Sequence, residues 1–581
     1  MSKDGTKASF YKSLVPFDRQ SYSAEDKNPR NGNSSVCRQT KGLGILKKIL
    51  LSKFDQEEIP NIQVGIPNFT VICTHVFDDF MEMNGLYEIA LGDHPDDRIA
   101  YEFQMANLPF NILGDLRALV TQITTPLTIR SSSLLEDAKH EPFAGVYTTK
   151  MIPNHQFDVD SRFHDLTNAI KLVYASTYFS NAKSYRRATY YSSEDEKMAV
   201  IIQDSVGKRH DFRFYPELSG VARSYNFYPV GKAKQEDGVV NLALGLGKTI
   251  VDGGVCWTYS PTYPKVGPIF KTINELIQKT QKMFWAVNMG TELLYNPLKE
   301  TEYMVLENIA TADRDGTLSL TSSTYDAQSD RVNLGAHGRG PRILNFAPLL
   351  TMREIPVNNV LKRIMALSEK TLKAPVEIEF AMTFNPHRLE MLQVRPMAVS
   401  TEVVEVTPED MEKENVLVAC DRVLGNGIEK DISDIVYVIP DNFDKKHTRK
   451  MAAEIEAINT TLLDGNRNYM LIVFGRLGSS DPWLGIPVKW EQISGARVIV
   501  EATKEGINVE MSQGSHFFHN LTSLGISYFS VPITADHQLD WDWLEALKEV
   551  QSSEFIRHVR AEEPLNIIID GRIGRGVVYK D

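Results

Sequence analysis

Residues 376–396, VEIEFAMTFNPHRLEMLQVRP, constrain the fold most, because apolar and polar residues alternate on both sides of an Asn-Pro pair. Such alternation indicates two β-strands whose faces meet different surroundings. A hairpin that is symmetric about its proline sets two pairs opposite each other, Glu379 with Gln393 and Glu377 with Arg395. The sequence therefore predicts a hairpin with four polar side chains on one face.

This polar face suits metal and phosphate chemistry. Two carboxylates two residues apart, Glu377 and Glu379, can hold Mg²⁺ through one or two oxygens each while substrate phosphates complete its shell. Arg395 beside them can neutralise charge that develops during phosphoryl transfer. A solvated strand face with cross-strand ion pairs is the alternative interpretation.

A second stretch, LTIRSSSLLEDAKHEPFAG at 127–145, carries an apolar run with one arginine into a cluster of serines. Arginine donates in a planar fork and hydroxyls add short donors, so Arg130 and Ser131 together suit an anion. A surface strand that leads into a serine-capped helix explains the same residues. Charge at a helix start is enough to explain Glu136 and Asp137.

The glycine-rich stretch LALGLGKTIVDGG at 242–254 suggests a phosphate loop but does not match one. A Walker A loop needs glycine five residues before its Gly-Lys pair, and that position is Leu242. A glycine-rich turn after a strand can still direct backbone N–H groups at an anion. A tight turn that happens to carry Lys248 is the alternative.

The third candidate stretch is EMSQGSHFFHNLTSLGISYFSV at 510–531, where His516 follows a Gly-Ser turn and precedes a helix-compatible run. A histidine there can expose a ring nitrogen at a helix start, where free backbone N–H groups meet a phosphoryl group. Histidine is also a competent covalent carrier. A hydrogen-bonded histidine at a helix start is the alternative, and His519 is a rival on the same segment.

Composition restricts the function further. A net charge of −12 over 581 residues argues against a general binder of nucleic acid or of anionic membranes, since phosphate affinity needs concentrated Lys and Arg. We find no apolar window of about 18 residues that predicts a membrane span, and the start MSKDGTKASFYKSL has no apolar signal core. Four scattered cysteines, at 37, 73, 256 and 420, are typical of reduced thiols in a cytoplasmic protein.

Strand and helix patterns alternate along the chain and predict a mixed α+β fold. A chain of 581 residues is too long for one core. Strand-like runs occur at 198–206 and at 376–382, and 399–415 is an acidic stretch that we interpret as a linker. Three-to-four spacing predicts one buried helix face, formed by Phe163, Leu166, Ile170, Val173, Tyr174 and Thr177.

Taken together, these stretches resemble one family, the dikinases that include phosphoenolpyruvate synthase and pyruvate phosphate dikinase. Their nucleotide domain is a divergent ATP-grasp fold. Its signature, Arg-Ser-Ser, Glu-Asp and Phe-Ala-Gly, is matched in order by Arg130-Ser131-Ser132, Glu136-Asp137 and Phe143-Ala144-Gly145. Later motifs follow in the family's order, at Tyr185-Arg186, AVIIQDSV, LSGVARS, GLGKTIVDGG, Glu377, Glu379 and Gln393 to Pro396.

The C-terminal part resembles the swivelling phosphohistidine domain of the same family. Ser515-His516 and Leu524-Gly525-Ile526 reproduce the spacing of the family's Ser-His turn and of the helix that follows it, although Gly514 stands where threonine is usual. His516 thus ranks above His519. The resemblance implies four segments, a polar extension at 1–36, a two-lobed ATP-grasp unit at 37–398, the linker at 399–415 and a smaller swivelling β/α domain at 416–581.

The resemblance also implies the roles of the site residues. ATP would lie between two lobes of the N-terminal unit, and the carrier histidine would swing in, accept phosphate and take it to a second site. The implied residues are Arg130 and Arg395 at the phosphates, Ser131 and Gln393 elsewhere on the nucleotide, Gln203 beside the adenine, Glu377 and Glu379 on Mg²⁺, and His516 as the carrier.

Two departures from the family pattern bear on turnover. Gln39 stands where the family has a phosphate-binding lysine, for which Lys41 from the next turn could substitute. Lys248 stands where the synthases have an acidic residue, a charge reversal that could compensate for the missing lysine or could mark drift. The C-terminal segment is also too short to add the family's pyruvate-binding barrel, a fold of about 250 residues. The phosphate acceptor would then be a different small molecule or a partner barrel protein.

Three hypotheses follow. The leading one is an ATP- and Mg²⁺-dependent phosphotransferase that phosphorylates its own His516. The alternative is a catalytically weakened relative that binds nucleotide and acts as a regulatory or interaction protein. An ATP-grasp ligase that makes an acyl phosphate is the third, and it would need no carrier histidine.

Overall fold

The computed structural model describes residues 15–16, 29–31, 38–133, 136, 145–189, 196–290, 296, 298–351, 355–397, 399, 404–479, 481–503, 515–532 and 538–580. Helices and strands are mixed along these residues, which confirms the predicted α+β class. The α-helices are Arg38–Ser52, Thr74–Met83, Tyr87–Leu91, Asp96–Met105, Phe110–Gln122, Val159–Ser176, Ser180–Thr189, Lys248–Val251, Ile273–Lys279, Ile309–Arg314, Ala347–Thr351, Val357–Leu372, Pro408–Met411, Thr448–Asp464, His516–Ser523 and Trp541–Ala546.

A six-stranded N-terminal sheet contains the strand with Arg130 and Ser131, the two residues predicted to suit an anion. From edge to edge its strands are Val15–Pro16, Pro29–Asn31, Phe69–Ile72, Met198–Asp204, Leu127–Ser133 and Lys150–Ile152. Leu127 and Ile129 lie in the apolar core with Leu166 of the helix Val159–Ser176, so the predicted buried helix face is confirmed. Because side chains alternate along a strand, Arg130 lies on the face opposite this core.

The predicted hairpin lies inside a second six-stranded sheet, the middle sheet. Its strands, in spatial order, are Trp257–Tyr259, Val239–Ala243, Leu218–Arg223, Val376–Thr383, Arg388–Pro396 and Gln63–Gly65. The register sets Glu377 opposite Arg395 and Glu379 opposite Gln393, as predicted. A β-bulge after Glu379 shifts the pairs nearer the turn by one residue, so the hairpin is not symmetric along its whole length.

Two smaller sheets complete the N-terminal unit. One consists of Met304–Asn308, Met283–Asn288, Arg213–Tyr215 and Lys208–His210, and the other of Arg331–Leu334, Ser323–Asp326 and Arg342–Ile343. The helix Arg38–Ser52 lies on the strand Arg388–Pro396, and Gly42 permits the close approach, since a Cβ there would lie 2.5 Å from the carbonyl oxygen of Val394. The side chains of Gln39 and Lys41 in this helix lie outside the described residues.

A ten-stranded sheet forms the C-terminal unit. Nine strands follow in the order Val423–Leu424, Ser527–Val531, Ala496–Ala502, Tyr469–Phe474, Gly427–Val438, Ile556–Asp570, Arg575–Tyr579, Val416–Cys420 and Gln538–Leu539, and Lys548–Ser552 pairs beside Ile556–Asp570. Tyr469–Phe474, Ala496–Ala502 and Ser527–Val531 are neighbouring parallel strands, so their carboxyl ends share one edge. A short parallel pair, Arg476–Leu477 with Gly485–Ile486, follows at that edge.

The predicted acidic linker contains one short helix, Pro408–Met411. Its Asp410 carbonyl accepts a hydrogen bond of 3.1 Å from the Tyr579 hydroxyl, so this half of the linker packs on the C-terminal sheet. The four predicted segment boundaries stay predictions. Within the described residues, no helix is long and apolar enough to cross a membrane.

Candidate active site

Arg130 of the N-terminal sheet contacts two side chains of the middle sheet. Its Nη2 donates a hydrogen bond of 2.6 Å to Oε1 of Gln393 and lies 3.4 Å from Oε2 of Glu379. Arg130 lies more than two hundred residues before Glu379 and Gln393 in the sequence, and the structure brings the three predicted site residues together. The guanidinium is mostly buried, with 15% of the side chain exposed, so its charge acts in a poorly solvated place.

Glu377 is held between two arginines. Oε1 accepts a hydrogen bond of 2.6 Å from Nε of Arg395, and Oε2 accepts one of 2.5 Å from Nε of Arg223. The Nη2 atom of each arginine contacts the same oxygen as its Nε. Burial opposes the charge of Glu377, but the two arginines outweigh it and hold its pKa well below the usual range. Both carboxylate oxygens are therefore already engaged.

Arg223 is a site residue that the sequence reasoning missed. It lies on the strand Leu218–Arg223, where alternation with Ser219 and Val221 places it on the face that pairs with Glu377. It is 1% exposed, and its guanidinium lies over the ring of Phe518, with 5.5 Å between its Cζ and the ring centroid. The sequence did contain an indication of this role, because an arginine at the end of a buried strand needs an anionic partner.

Glu379 has one oxygen on Arg130 and one that faces His516. Oε1 is buried and has no hydrogen bond within the described part of the chain, and Nε2 of His516 lies 3.8 Å from it. Burial alone would raise the pKa of Glu379, but the His516 imidazole, Arg130 and Arg395 lower it to about 2. Glu379 is therefore a carboxylate at neutral pH.

The helix His516–Ser523 brings the predicted carrier histidine to this place. Its first turn is capped by Ser515, whose Oγ accepts a hydrogen bond of 3.1 Å from the N–H of Phe518. His516 lies against Gly145, where a Cβ would approach its Nδ1 to 2.4 Å. His519 on the same helix is 3% exposed, and burial and then Arg395 lower its pKa well below the usual value.

A cavity of about 100 Å³ lies between these groups. It is lined by Arg130, Ser131, Glu136, Gly145, Tyr147, Thr149, Val251, Asp252, Glu300, Gln393, Arg395 and His516. His519 does not line it. Glu136 is held in place because Oε1 accepts a hydrogen bond of 2.6 Å from the Ser131 hydroxyl and Oε2 one of 2.8 Å from the N–H of Ser133. Its neighbours Asp137, Phe143 and Ala144 lie outside the described residues.

Lys248 and Gln203 do not reach this cavity. Nζ of Lys248 lies 2.8 Å from Asp252 and 3.0 Å from Glu300, and these carboxylates outweigh burial and raise its pKa. Gln203 lies opposite Thr128 in the N-terminal sheet and is 2% exposed, and its Nε2 donates no hydrogen bond to the residues that the structure describes. The adenine-side role of Gln203 stays a prediction.

The glycine-rich loop does not display its backbone as a phosphate loop does. The N–H of Leu246 donates to the carbonyl of Trp285 at 2.9 Å, and the N–H of Ile250 donates to Gly247 at 2.9 Å. Gly245 has a φ of +81°, and a Cβ there would lie 2.6 Å from the carbonyl oxygen of Trp285. These two donors are already bonded to backbone carbonyl groups, one in the neighbouring strand Met283–Asn288 and one in the loop itself, which agrees with the rejection of a Walker A loop.

The family of the chain follows from its sequence match. A family model for the AMP/ATP-binding domain of pyruvate phosphate dikinase matches residues 47–416, which is more than half of the chain. The chain belongs to this family. The match spans Arg130, both hairpin carboxylates and Arg395, so the site lies inside the AMP/ATP-binding domain, which is ATP-grasp-like. No curated protein sequence matches the chain.

The cavity around Arg130 is closed by a residue from beyond the matched domain. His516 belongs to the C-terminal unit, and the other residues that line the cavity belong to the AMP/ATP-binding domain. Among the described residues there is no group of three or more His, Cys, Asp or Glu side chains arranged to hold a metal ion.

Proposed function

We propose that the chain is an ATP- and Mg²⁺-dependent dikinase-type phosphotransferase that moves phosphate from ATP to its own His516 and then to an acceptor. The observation that carries the proposal is the position of His516. Its Nε2 faces Glu379 at 3.8 Å in a cavity that Arg130, Gln393 and Arg395 also line. A histidine with a merely structural role has no need of two arginines in the same cavity.

The geometry fits nucleophilic attack on a phosphoryl group. The Nε2 lone pair would form the N–P bond to the β-phosphorus of ATP while the bond from that phosphorus to the α,β-bridging oxygen breaks, so that AMP leaves with the electron pair. Arg130 and Arg395 present guanidinium donors from opposite sheets, and they would stabilise the charge on the equatorial oxygens. Glu377 acts on this step indirectly, because it fixes the orientation of Arg395 from behind.

Glu379 fits a Mg²⁺ ligand better than Glu377 does. Its Oε1 is a buried oxygen without a hydrogen bond from the described residues, whereas both oxygens of Glu377 are held by arginines. Mg²⁺ is commonly bound by one or two carboxylates together with substrate phosphates, so Glu379 alone is a sufficient protein ligand. When bound, Mg²⁺ would neutralise phosphate charge beside His516.

The docked position of the histidine helix implies motion. A cavity of about 100 Å³ admits a phosphoryl group but not a whole nucleotide, since ligand pockets for such molecules are roughly 300–1,000 Å³. The C-terminal unit would therefore withdraw to admit ATP, return to accept phosphate, and withdraw again to deliver it. The acceptor would meet His516 in the withdrawn position.

A second candidate, a weakened nucleotide-binding regulatory protein of this family, is favoured by one observation. Lys248 was a candidate replacement for the lysine missing at Gln39. Its ammonium is paired with Asp252 and Glu300, so it does not offer a free charge to ATP. In this candidate the chain binds ATP but leaves His516 unmodified.

Labelling separates the two candidates. The purified chain is incubated with Mg²⁺ and ATP that is labelled at the β-phosphate, and acid-labile, base-stable label on the protein is measured. The phosphotransferase gives label that a His516→Asn variant loses and a His519→Asn variant keeps. Binding of ATP without label would leave the regulatory protein, and label that survives His516→Asn would remove His516 as the carrier.

A further inference from the structure

A second and much larger cavity lies between the two units, away from the nucleotide site. Its volume is about 1110 Å³, and none of the residues that line it also lines the His516 cavity. Phe518, in the same helix as His516, packs on the lining of this larger cavity, with its ring 5.6 Å from that of Phe227 and 6.2 Å from that of Tyr228. We call this space the interdomain cleft.

The floor of the interdomain cleft is the carboxyl edge of three parallel strands. Gly475 follows the strand Tyr469–Phe474, and Ala502 ends the next strand. Ser530 is the second-last residue of the third strand, Ser527–Val531. Ligands of open α/β sheets bind in the crevice outside the carboxyl ends of such strands. The position alone therefore favours a ligand site.

The walls of the interdomain cleft are apolar and exposed. Val266 and Ile269 from the N-terminal unit are 54% and 75% exposed, and Ile573 from the C-terminal unit is 52% exposed. Exposed aliphatic side chains that face each other across a concave surface are a mark of a binding site. The ligand therefore has an apolar body.

Charge at the interdomain cleft favours an anion. Four cationic side chains and three carboxyl groups line it, namely Lys232, Lys234, Arg422 and Arg572 against Glu236, Asp421 and Glu501. Arg572 is paired with Asp570, which lies outside the lining. Arg422 has no side-chain hydrogen bond or ion pair with any described residue, so its fork of donors is available to a carboxylate or another oxyanion.

Two hydroxyl groups beside the cleft lack partners as well. Tyr259 and Ser260 line the N-terminal wall, and the buried oxygen of each side chain has no hydrogen bond from the described residues. Buried polar groups in folded proteins are nearly always satisfied, so an unsatisfied pair beside a cavity calls for an additional partner.

We propose that the interdomain cleft binds a small organic anion with an apolar or aromatic body, at a site distinct from the nucleotide cavity. Arg422 of the C-terminal unit binds the anionic group, and Ile269 of the N-terminal unit packs on the apolar body. Because the two units contribute opposite walls, the site is complete only when they are docked. This site does not depend on phosphotransfer by His516.

The experiment uses a matched pair of fluorescent probes on the full chain. 1-Anilinonaphthalene-8-sulfonate carries an aromatic body and a sulfonate, and N-phenyl-1-naphthylamine has the same body without the charge. We expect saturable binding of one sulfonate probe per chain, and Arg422→Gln should weaken it about tenfold while leaving the neutral probe unchanged. Ile269→Asp should weaken both probes.

Controls place the probe in the interdomain cleft. Arg449→Gln and Leu51→Asp change an exposed arginine and an exposed leucine outside the lining, and neither should alter binding. His516→Asn should bind the sulfonate probe as the unaltered chain does, even if phosphotransfer is absent. Equal affinity in Arg422→Gln and the unaltered chain, or displacement of the probe by ATP at one-to-one stoichiometry, would overturn the proposal.

Discussion

At the scale of single residues, Gly145 decides how closely His516 can dock. Its φ is +66°, and a Cβ would lie 2.4 Å from Nδ1 of His516. Gly145→Ala should slow labelling of His516 from ATP by at least about tenfold, because an ångström of displacement at a reacting atom is costly. The measurement is the initial rate of acid-labile label at saturating ATP.

Gly85 supplies the matched control for this prediction. It has a similar φ of +62°, and a Cβ there would meet nothing within 4 Å. Gly85→Ala therefore introduces the same backbone strain, of about 1 kcal/mol, without a contact. Equal labelling rates in Gly145→Ala and Gly85→Ala would show that the contact with His516 does not matter.

Glu501 predicts a pH dependence of stability. Burial raises the pKa of this carboxyl group to about 7, from an ordinary value of 4.5, although Tyr528, the N–H of Leu477 and Arg476 oppose the shift. The folded state holds the proton more tightly, so its contribution is complete below about pH 4.5 and is lost as the pH rises through 7. The loss amounts to about 3 kcal/mol at most.

Thermal unfolding of Glu501→Gln tests this dependence. The unaltered chain should lose stability between pH 5 and pH 8, and the variant, which keeps an oxygen for the N–H of Leu477, should lose less. The difference between the two midpoints isolates Glu501 from other groups that titrate in this range, such as Asp204, whose pKa burial raises to about 6. Parallel curves for the two proteins would contradict the assignment.

At the scale of elements, three strands of the middle sheet are joined by one ionic cluster. Arg223, Glu377 and Arg395 come from adjacent strands, and all three side chains are at most 5% exposed. Removing one partner from a buried ion pair costs about 3 kcal/mol, mostly because the other charge is left uncompensated. The loss should therefore be smaller when both partners are replaced by neutral residues.

A double-mutant cycle measures this coupling. Arg223→Met and Glu377→Gln should each lower the free energy of unfolding in urea, and the double variant should cost less than the sum by at least about 1 kcal/mol. The exposed pair of Lys450 and Glu554 is the control, and it should show no measurable coupling. Additive losses at Arg223 and Glu377 would mean that the two side chains act independently.

Which side of each hairpin strand is buried could be predicted from sequence, but which distant strands and side chains lie beside the hairpin could not. Alternation set the facing pairs of the hairpin correctly, because it reports which side of a strand is buried. It contained nothing about the parallel pairing of Gln63–Gly65 with Arg388–Pro396, which joins strands at opposite ends of the unit. The contact of Lys248 with Glu300 and that of Arg223 with Glu377 were missed for the same reason, since each joins residues distant in sequence.

At the scale of the whole molecule, one apolar core cluster contains residues of both units, and specific polar and aromatic contacts also join them. Nη1 of Arg476 donates to the carbonyl groups of Gly253 and Gly254, which end the glycine-rich loop. Tyr185 packs on Trp490 with ring centroids 5.9 Å apart. This interface places His516 in the cavity that Arg130 and Arg395 line, so in the proposed function its opening would have to precede both entry of ATP and delivery of phosphate.

A disulfide across this interface would test whether the units must separate. A Cβ at Gly253 would lie 3.7 Å from Cβ of Ser515, and disulfides typically have Cβ atoms about 3.5–4.5 Å apart. We therefore predict that Gly253→Cys/Ser515→Cys forms a disulfide under mild oxidation and locks the docked state. The locked chain should accept no label from added ATP, because the closed cavity of about 100 Å³ cannot admit the nucleotide.

Reduction of the same sample provides the internal control. A reducing agent should restore labelling to the rate of the reduced double variant, which already includes the cost of cysteine at a φ of +73° and of losing the Ser515 cap. The two single variants, treated with oxidant in parallel, reveal any effect of the cysteines already present. Full labelling of the oxidised double variant, with the disulfide verified by mass, would show that ATP reaches His516 without separation of the units.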